Sequence, residues 1–198
     1  MNVKLIAGQE ATRRNALDVT VRSLAYDHRL PDRVFEGAWE DFLFCESDRL
    51  FDAAFVNVVI QFLGCENSRV ACLLNLDRTD LTRFEESGEA IFLDRSTTGA
   101  QYMNALEEGG PSRGWLYAVD RYVCCSDIGE WCIYCEKDND IAVVALRQVS
   151  KRQDFECPLK QLGARPIEEL IEGGAWPLFP FNQLVPSWRE GLLMHYGR

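Results

Sequence analysis

The hydrophobic pattern predicts helices in the first half of the chain. Apolar positions recur at a helical period over 9–27 and again over 34–44. The run from Leu50 to Leu63 is apolar on nearly all sides, which favours a buried helix. Its β-branched stretch over 56–60 leaves a strand as the alternative. Ser47 is the predicted N-cap of this segment, because serine side chains accept hydrogen bonds from the first free backbone N–H groups of helices.

The middle of the chain mixes short strands with helical turns. The apolar runs Val70–Leu76 and Ala90–Leu93 are predicted strands, and a helical turn is predicted between them over 80–86. A helix is predicted over 99–107. It is capped at its start by Thr97 or Thr98, and the glycines that follow it end it.

The strongest strand signal lies in residues 115–147. Aromatic or β-branched runs alternate there with residues typical of turns, such as Asp127–Gly129 and Lys137–Asp140. This pattern predicts an antiparallel β-meander. Its predicted strands are 115–119, 121–125, 130–136 and 141–146.

The last part of the chain is predicted to be helical again. A short helix starts at Pro166 and runs to Glu172, and a final amphipathic helix covers 188–196 with Ser187 as its cap. Helices before and after the meander, without a regular βαβ alternation, favour an α+β fold. The length of 198 residues fits a single domain over 1–198, with the meander packed by the N-terminal and C-terminal helices.

The charge of the chain disfavours nucleic acid and membrane partners. Lys and Arg number 21 and Asp and Glu number 31, which gives a net charge of −10 that is spread along the sequence. Phosphate backbones and anionic lipids need a cluster of basic side chains, and none is visible. The charge favours a protein partner with a basic surface, or it serves only solubility. The sequence contains no apolar run long enough for a membrane span and no signal peptide, so we expect a cytoplasmic protein.

Eight cysteines raise the possibility of a metal or redox site. Cys124, Cys125, Cys132 and Cys135 lie close together in the sequence, and a C-x2-C pair is typical of zinc and disulfide-exchange motifs. Here the pair falls within a predicted strand, so its side chains should point to opposite faces of the sheet. We therefore predict buried thiols, no metal and no cofactor.

The sequence offers no established catalytic motif, and no catalytic residue is assigned. The two histidines, His28 and His195, lie near opposite ends of the chain, and no nucleophile elbow is present. Asp120, Asp127 and Glu130 flank the predicted turns of the meander. They could together hold a metal or a basic group, although turn formation is the simpler explanation.

Residues 32–52 carry the highest local density of negative charge. This segment has seven carboxylates and two arginines, a net charge of −5, with Trp39 among them. Acidic side chains around an aromatic residue are suited to docking a basic protein, and a solvated helix face is the alternative. With the meander carboxylates, the candidate partner-binding residues are Glu36, Trp39, Glu40, Asp41, Asp120, Asp127 and Glu130.

A resemblance adds one specific expectation. The stretch Trp115–Asp120, through Asp127–Trp131 to Ile141–Leu146, resembles the sheet region of small bacterial toxin-immunity proteins. These cytoplasmic proteins bind and neutralise a toxin. The resemblance implies a non-enzymatic protein whose acidic surface complements a basic toxin.

Three functions therefore remain open from the sequence. The leading one is an acidic protein-binding protein, of the immunity type. The first alternative is an enzyme of unrecognised type that uses carboxylates or a cysteine beside the meander. The second is an acidic mimic of nucleic acid, which would need rows of carboxylates along one face.

Overall fold

The sheet is antiparallel throughout. The computed structural model describes residues 7–78, 89–171 and 180–198. Within them, six strands form one sheet in the order β1–β6–β5–β4–β2–β3. The strands are β1 (Asp41–Glu46), β2 (Val70–Asn75), β3 (Ala90–Asp94), β4 (Arg121–Ser126), β5 (Trp131–Glu136) and β6 (Ile141–Leu146).

Helices precede, interrupt and follow the strands, which confirms the predicted α+β class. In the described residues the α-helices are α1 (Ala7–Arg22), α2 (Phe55–Cys65), α3 (Gly99–Glu107), α4 (Gly110–Arg113), α5 (Trp115–Ala118), α6 (Glu156–Leu162), α7 (Ile167–Ile171) and α8 (Pro186–Tyr196). Short 3-10 helices cover Ser47–Phe51, Lys137–Asn139, Val149–Lys151 and Phe181–Gln183. No described helix combines the length and the hydropathy that crossing a bilayer requires.

The meander is confirmed in three of its four predicted strands. β4, β5 and β6 are consecutive neighbours, with Cys125 opposite Cys132 and Tyr134 opposite Val143. The first predicted strand, 115–119, is wrong because it contains the helical turn α5. The carbonyl oxygens of Trp115 and Val119 share the Tyr122 hydroxyl as donor in a bifurcated hydrogen bond, which holds this turn against the sheet.

The helix predicted over 34–44 is also wrong. Residues 41–46 form the edge strand β1, which pairs with β6. Phe42 and Phe44 pack on one face of the sheet, and Leu43 and Cys45 pack on the other. A strand that is buried on both faces is continuously apolar, and a run of this kind imitates a helical period.

The predicted helix between Leu50 and Leu63 is present as α2, but its start differs from the prediction. The Ser47 hydroxyl makes no hydrogen bond with the described residues, and Ser47 lies in a 3-10 helix before α2. Ala54 is the N-cap residue of α2, and its N–H donates a hydrogen bond to the Asp52 carboxylate. The cap of α3 is confirmed, because Thr98 and Gln101 form a reciprocal capping box.

The remaining predicted elements are partly covered by the structure. β2 and β3 confirm the two central strands, while the helical turn over 80–86 lies outside the described residues. α7 confirms the helix after Pro166, and its predicted last residue, Glu172, is also outside them. The final helix starts two residues earlier than predicted, at Pro186, and the Ser187 side chain does not cap it.

The sheet lies between two layers of helices, and each layer covers its own hydrophobic cluster. α2, α3 and α6 cover one face, which we call the α2 face, while α1, α7 and α8 cover the opposite α1 face. The strands also define two ends of the sheet. The Asp41 end contains the first residue of β1 and the turn between β4 and β5. The Glu46 end contains the last residue of β1 and the turn between β5 and β6.

Candidate functional site

The predicted partner-binding residues divide between the two ends of the sheet. Asp120 precedes β4 and lies at the Glu46 end, whereas Asp127 follows β4 and lies at the Asp41 end. The six residues of β4 separate them by about 20 Å. Glu130 precedes β5 and shares the Asp41 end with Asp127. The three meander carboxylates therefore do not form a common site for a metal or a reaction.

The meander cysteines are also divided. Cys124 and Cys135 are buried on the α2 face, and Cys125 and Cys132 are buried on the α1 face. Burial raises the pKa of the Cys124 and Cys135 thiols, so they remain protonated at neutral pH. Among the described residues, no group of three His, Cys, Asp or Glu side chains is placed to hold a metal ion.

Trp39 belongs to the hydrophobic core. Its side chain is buried, and its indole N–H donates to the carbonyl oxygen of Glu36 at 2.8 Å. Phe35 packs beside it, with ring centroids 5.7 Å apart. This placement contradicts the prediction that Trp39 offers an aromatic surface to a partner.

Asp41 is buried as well and forms ion pairs within the chain. Its Oδ1 accepts a hydrogen bond from the Arg198 guanidinium at 2.8 Å and lies 3.6 Å from that of Arg152. Its Oδ2 is buried and has no hydrogen-bond partner within the described ranges. The charge of Asp41 is therefore balanced internally, and this carboxylate is not exposed for docking.

The other predicted carboxylates mostly have internal partners. Glu130 pairs with Lys151 at 2.9 Å, and Glu40 accepts the N–H of Val149 at 3.1 Å. Asp127 accepts the N–H groups of Arg69 and Val70, which fixes the start of β2.

Asp120 and Glu36 complete the predicted set. Asp120 pairs with Arg29 at 3.4 Å and accepts the N–H of Asp138 at 2.7 Å. Glu36 is exposed, and its carboxylate has no hydrogen bond or ion pair in the described chain. The side chains of six of the seven predicted residues therefore have a hydrogen-bond or ion-pair partner within the chain, and Glu36 is the exception in the described residues.

Glu66 is a partly buried carboxylate that the sequence did not single out. It accepts the indole N–H of Trp131 at 2.8 Å and the backbone N–H of Glu130 at 3.2 Å. Burial raises the pKa of Glu66 above its usual range, although these hydrogen bonds oppose the shift. Glu66 follows the last residue of α2 without any pattern of its own, so only the fold reveals its position.

An acidic groove at the Glu46 end is the best candidate for a binding site. It has a volume of about 330 Å³ and lies between the 3-10 helix Ser47–Phe51, the start of α2 and the end of α6. Glu46, Asp48 and Asp52 supply its negative charge, and Phe55 and Leu162 contribute apolar lining. We call this concavity the acidic groove.

The carboxylates of the acidic groove are not neutralised by ion pairs. No ion pair joins Glu46, Asp48 or Asp52 to a basic side chain in the described parts of the chain. Arg49 also lines the groove, so its four charged side chains sum to −2. All four come from the acidic segment 32–52. The acidic groove thus lies in the segment that the sequence singled out, but it consists of different residues from those predicted.

A larger concavity has a different chemical character. It has a volume of about 870 Å³ and is lined by Arg13, Arg78 and Arg113 together with Glu89 and Glu108. Arg78 and Glu89 are 3.4 Å apart and pair with each other. This concavity has no excess of negative charge, and the acidic groove is the better match for a basic partner. Comparison with protein-family models, with curated proteins and with solved structures finds no match to this chain.

Proposed function

We propose that this chain is a protein-binding protein that recognises a basic surface of its partner through the acidic groove. The observation that supports this proposal is a partly apolar concavity with three carboxylates that make no ion pair among the residues that the structure describes. A Lys or Arg side chain could place its aliphatic stem against the exposed Ala54 of the groove lining and its charge beside the carboxylates. Immunity against a basic toxin is the specific form of this function that the resemblance over 115–146 implies.

The first test uses a defined cationic probe. We expect a short arginine-rich peptide, added to isotopically labelled protein, to shift the backbone amide resonances of residues 46–55 and 161–162. The shifts should weaken as salt is added, because screening reduces attraction between exposed charges. Shifts that are spread evenly over the acidic surface would contradict a specific groove.

The second test compares two pairs of substitutions. Glu46→Gln with Asp48→Asn removes two negative charges from the groove. Glu107→Gln with Glu108→Gln removes two from the exposed end of α3. Asp52 is left in place because it accepts the N–H of Ala54. A salt-sensitive partner captured by the wild-type protein should be lost with the first pair and kept with the second.

An equal effect of the two pairs would assign binding to total charge rather than to the groove. Circular dichroism should confirm that both double variants fold like the wild-type protein. Binding that survives the first pair at full strength would overturn the proposal.

A further inference from the structure

The eight cysteines fall into two groups by exposure. Six are buried, and all eight are free thiols. Cys65 and Cys157 are the exposed pair. Cys65 is the last residue of α2, and Cys157 lies in the first turn of α6.

Packing between α2 and α6 brings together the two segments that carry these exposed thiols. The rings of Phe62 and Phe155 are in contact, with centroids 5.6 Å apart. Cys65 follows Phe62 by three residues, so it lies on the same side of α2. Cys157 follows Phe155 by two residues, just after the chain enters α6. The contact between the two rings therefore directs Cys65 towards the start of α6.

The electrostatic environment of Cys65 agrees with this placement. Although Cys65 is exposed, partial burial of its thiol contributes most to raising its pKa above the usual range, and negative charge on Asp154, Cys157 and Glu66 adds to the effect. The Cys157 sulfur therefore lies within the range over which charges near a protein surface interact with Cys65, in agreement with the contact between the two rings. Cys157 also lies 3.9 Å from the side-chain nitrogen of Gln161, so its sulfur faces the exposed side of α6.

We propose that Cys65 and Cys157 form a two-thiol modification site that low-molecular-weight disulfides, such as oxidised glutathione, convert to an internal disulfide. The Cys157 thiolate attacks one sulfur of the glutathione disulfide. A mixed disulfide forms, and one glutathione thiolate leaves. The Cys65 thiolate then attacks the Cys157 sulfur of the mixed disulfide and releases the second glutathione thiolate. The net reaction oxidises two protein thiols to one disulfide and reduces one glutathione disulfide to two glutathione molecules.

The order of attack follows from the surroundings of the two thiols. Cys157 is the first nucleophile because its sulfur faces the exposed side of α6, whereas partial burial and the charge of Asp154 raise the pKa of Cys65. The other six thiols do not compete, because they are buried away from a solvent-borne disulfide. For Cys124, Cys132 and Cys135, burial also raises the pKa of the thiol.

The test is oxidation of the folded full chain with oxidised glutathione at pH 8. After quenching and denaturation, thiol titration should fall from eight to six, and a non-reducing peptide map should contain one cross-link between Cys65 and Cys157. Dithiothreitol should restore all eight thiols. The variant Cys157→Ser should form no cross-link, and at most one glutathione should attach, at Cys65.

Three outcomes would overturn the proposal. They are a wild-type product that keeps two separate glutathione adducts, a product with no change in thiol count, and a cross-link that involves any buried cysteine. Because the wild-type peptide map alone distinguishes these cases, the test does not depend on the folding of the variant.

Discussion

The guanidinium of Arg147 lies over the indole ring of Trp39, with Cζ 3.7 Å from the ring centroid. The same guanidinium donates hydrogen bonds to the carbonyl oxygens of Gly129 and Ala38, at 3.2 and 3.1 Å. Arg147 therefore connects the segment before β1 to the turn between β4 and β5. β1 and β4 are not neighbours in the sheet, so no backbone hydrogen bonds join them directly. The Arg147 side chain links the segments next to these two strands at the Asp41 end.

We expect Arg147→Lys to lower the free energy of unfolding by about 2 kcal/mol. Lysine keeps the charge but cannot cover the ring as a plane or reach both carbonyl oxygens. Urea unfolding followed by tryptophan fluorescence measures this change. As a control, Arg69→Lys alters an exposed arginine whose side chain makes no hydrogen bond in the described chain, and it should change stability by less than about 0.5 kcal/mol. Equal effects of the two substitutions would contradict the connecting role of Arg147.

Asp77 makes the stability of the fold depend on pH. Its carboxylate accepts hydrogen bonds from the N–H groups of Asp120 and Arg121, at 2.7 and 3.0 Å, and from the Arg121 guanidinium at 3.0 Å. Burial alone would raise the pKa of Asp77, but these hydrogen bonds and the charge of Arg121 hold it below its usual range. The folded state therefore prefers the ionised carboxylate more strongly than the unfolded state does.

The direction of the pH effect follows from this lowered pKa. Asp77 stabilises the fold above the unfolded pKa of about 3.9, and the stabilisation is lost as the pH falls through the lower folded value. We expect Asp77→Asn to cost about 1–2 kcal/mol at pH 7, and the difference from wild type to shrink below about pH 4. Urea unfolding at a series of pH values measures both. As a control, Asp138→Asn changes an exposed side chain without hydrogen bonds in the described chain, and its effect should be small. A cost for Asp77→Asn that is the same at all pH values would contradict the linkage.

Alanine substitutions at three glycines distinguish the energetic cost of a positive φ from the cost of steric crowding. Gly129 has a φ of +82°, and an added Cβ would lie 2.7 Å from Val19 Cγ1, whereas Gly163 has a φ of +66° with open space around it. Gly64 lies in α2, also with open space around it. We expect Gly163→Ala to cost about 1 kcal/mol, Gly129→Ala to cost about 2 kcal/mol or more, and Gly64→Ala to add about 0.5 kcal/mol.

Thermal or urea unfolding of the three alanine variants measures the change in stability at each position and so ranks the three substitutions. Equal costs at Gly129 and Gly163 would mean that Val19 moves aside without penalty. A destabilising Gly64→Ala would mean that the end of α2 does not accept a side chain there.

The sequence predicts those elements for which the local hydrophobic pattern, turns and caps favour the same secondary structure as the tertiary contacts. The meander strands β4 to β6 alternate with turn residues, and Thr98 with Gln101 forms a local cap, so neither depends on distant residues. β1 could not be predicted, because its pairing with β6 is nearly one hundred residues away in sequence. Tertiary burial on both faces overrides the apparent helical period in 34–44.

The candidate site was predictable as a segment but not as a set of residues. Negative charge in 32–52 is visible in the sequence, whereas the cations that neutralise part of it come from distant positions, such as Arg152 and Arg198 for Asp41. Asp41 is buried beside these arginines, whereas Glu46, Asp48 and Asp52 have no such partner in the described part of the chain. The distinction therefore depends on long-range contacts that no local pattern records.

The two-sided covering of the sheet has a consequence for its dynamics. Every residue of β5 is buried, and hydrogen-bonded strands flank it on both sides. Solvent cannot reach its backbone amides by fraying of an edge, so their hydrogens exchange with deuterium only when the whole sheet opens. The slowest amide exchange rates in β5 would therefore report the free energy of global unfolding. The exchange rates in the edge strand β3 would report local unfolding at the edge of the sheet.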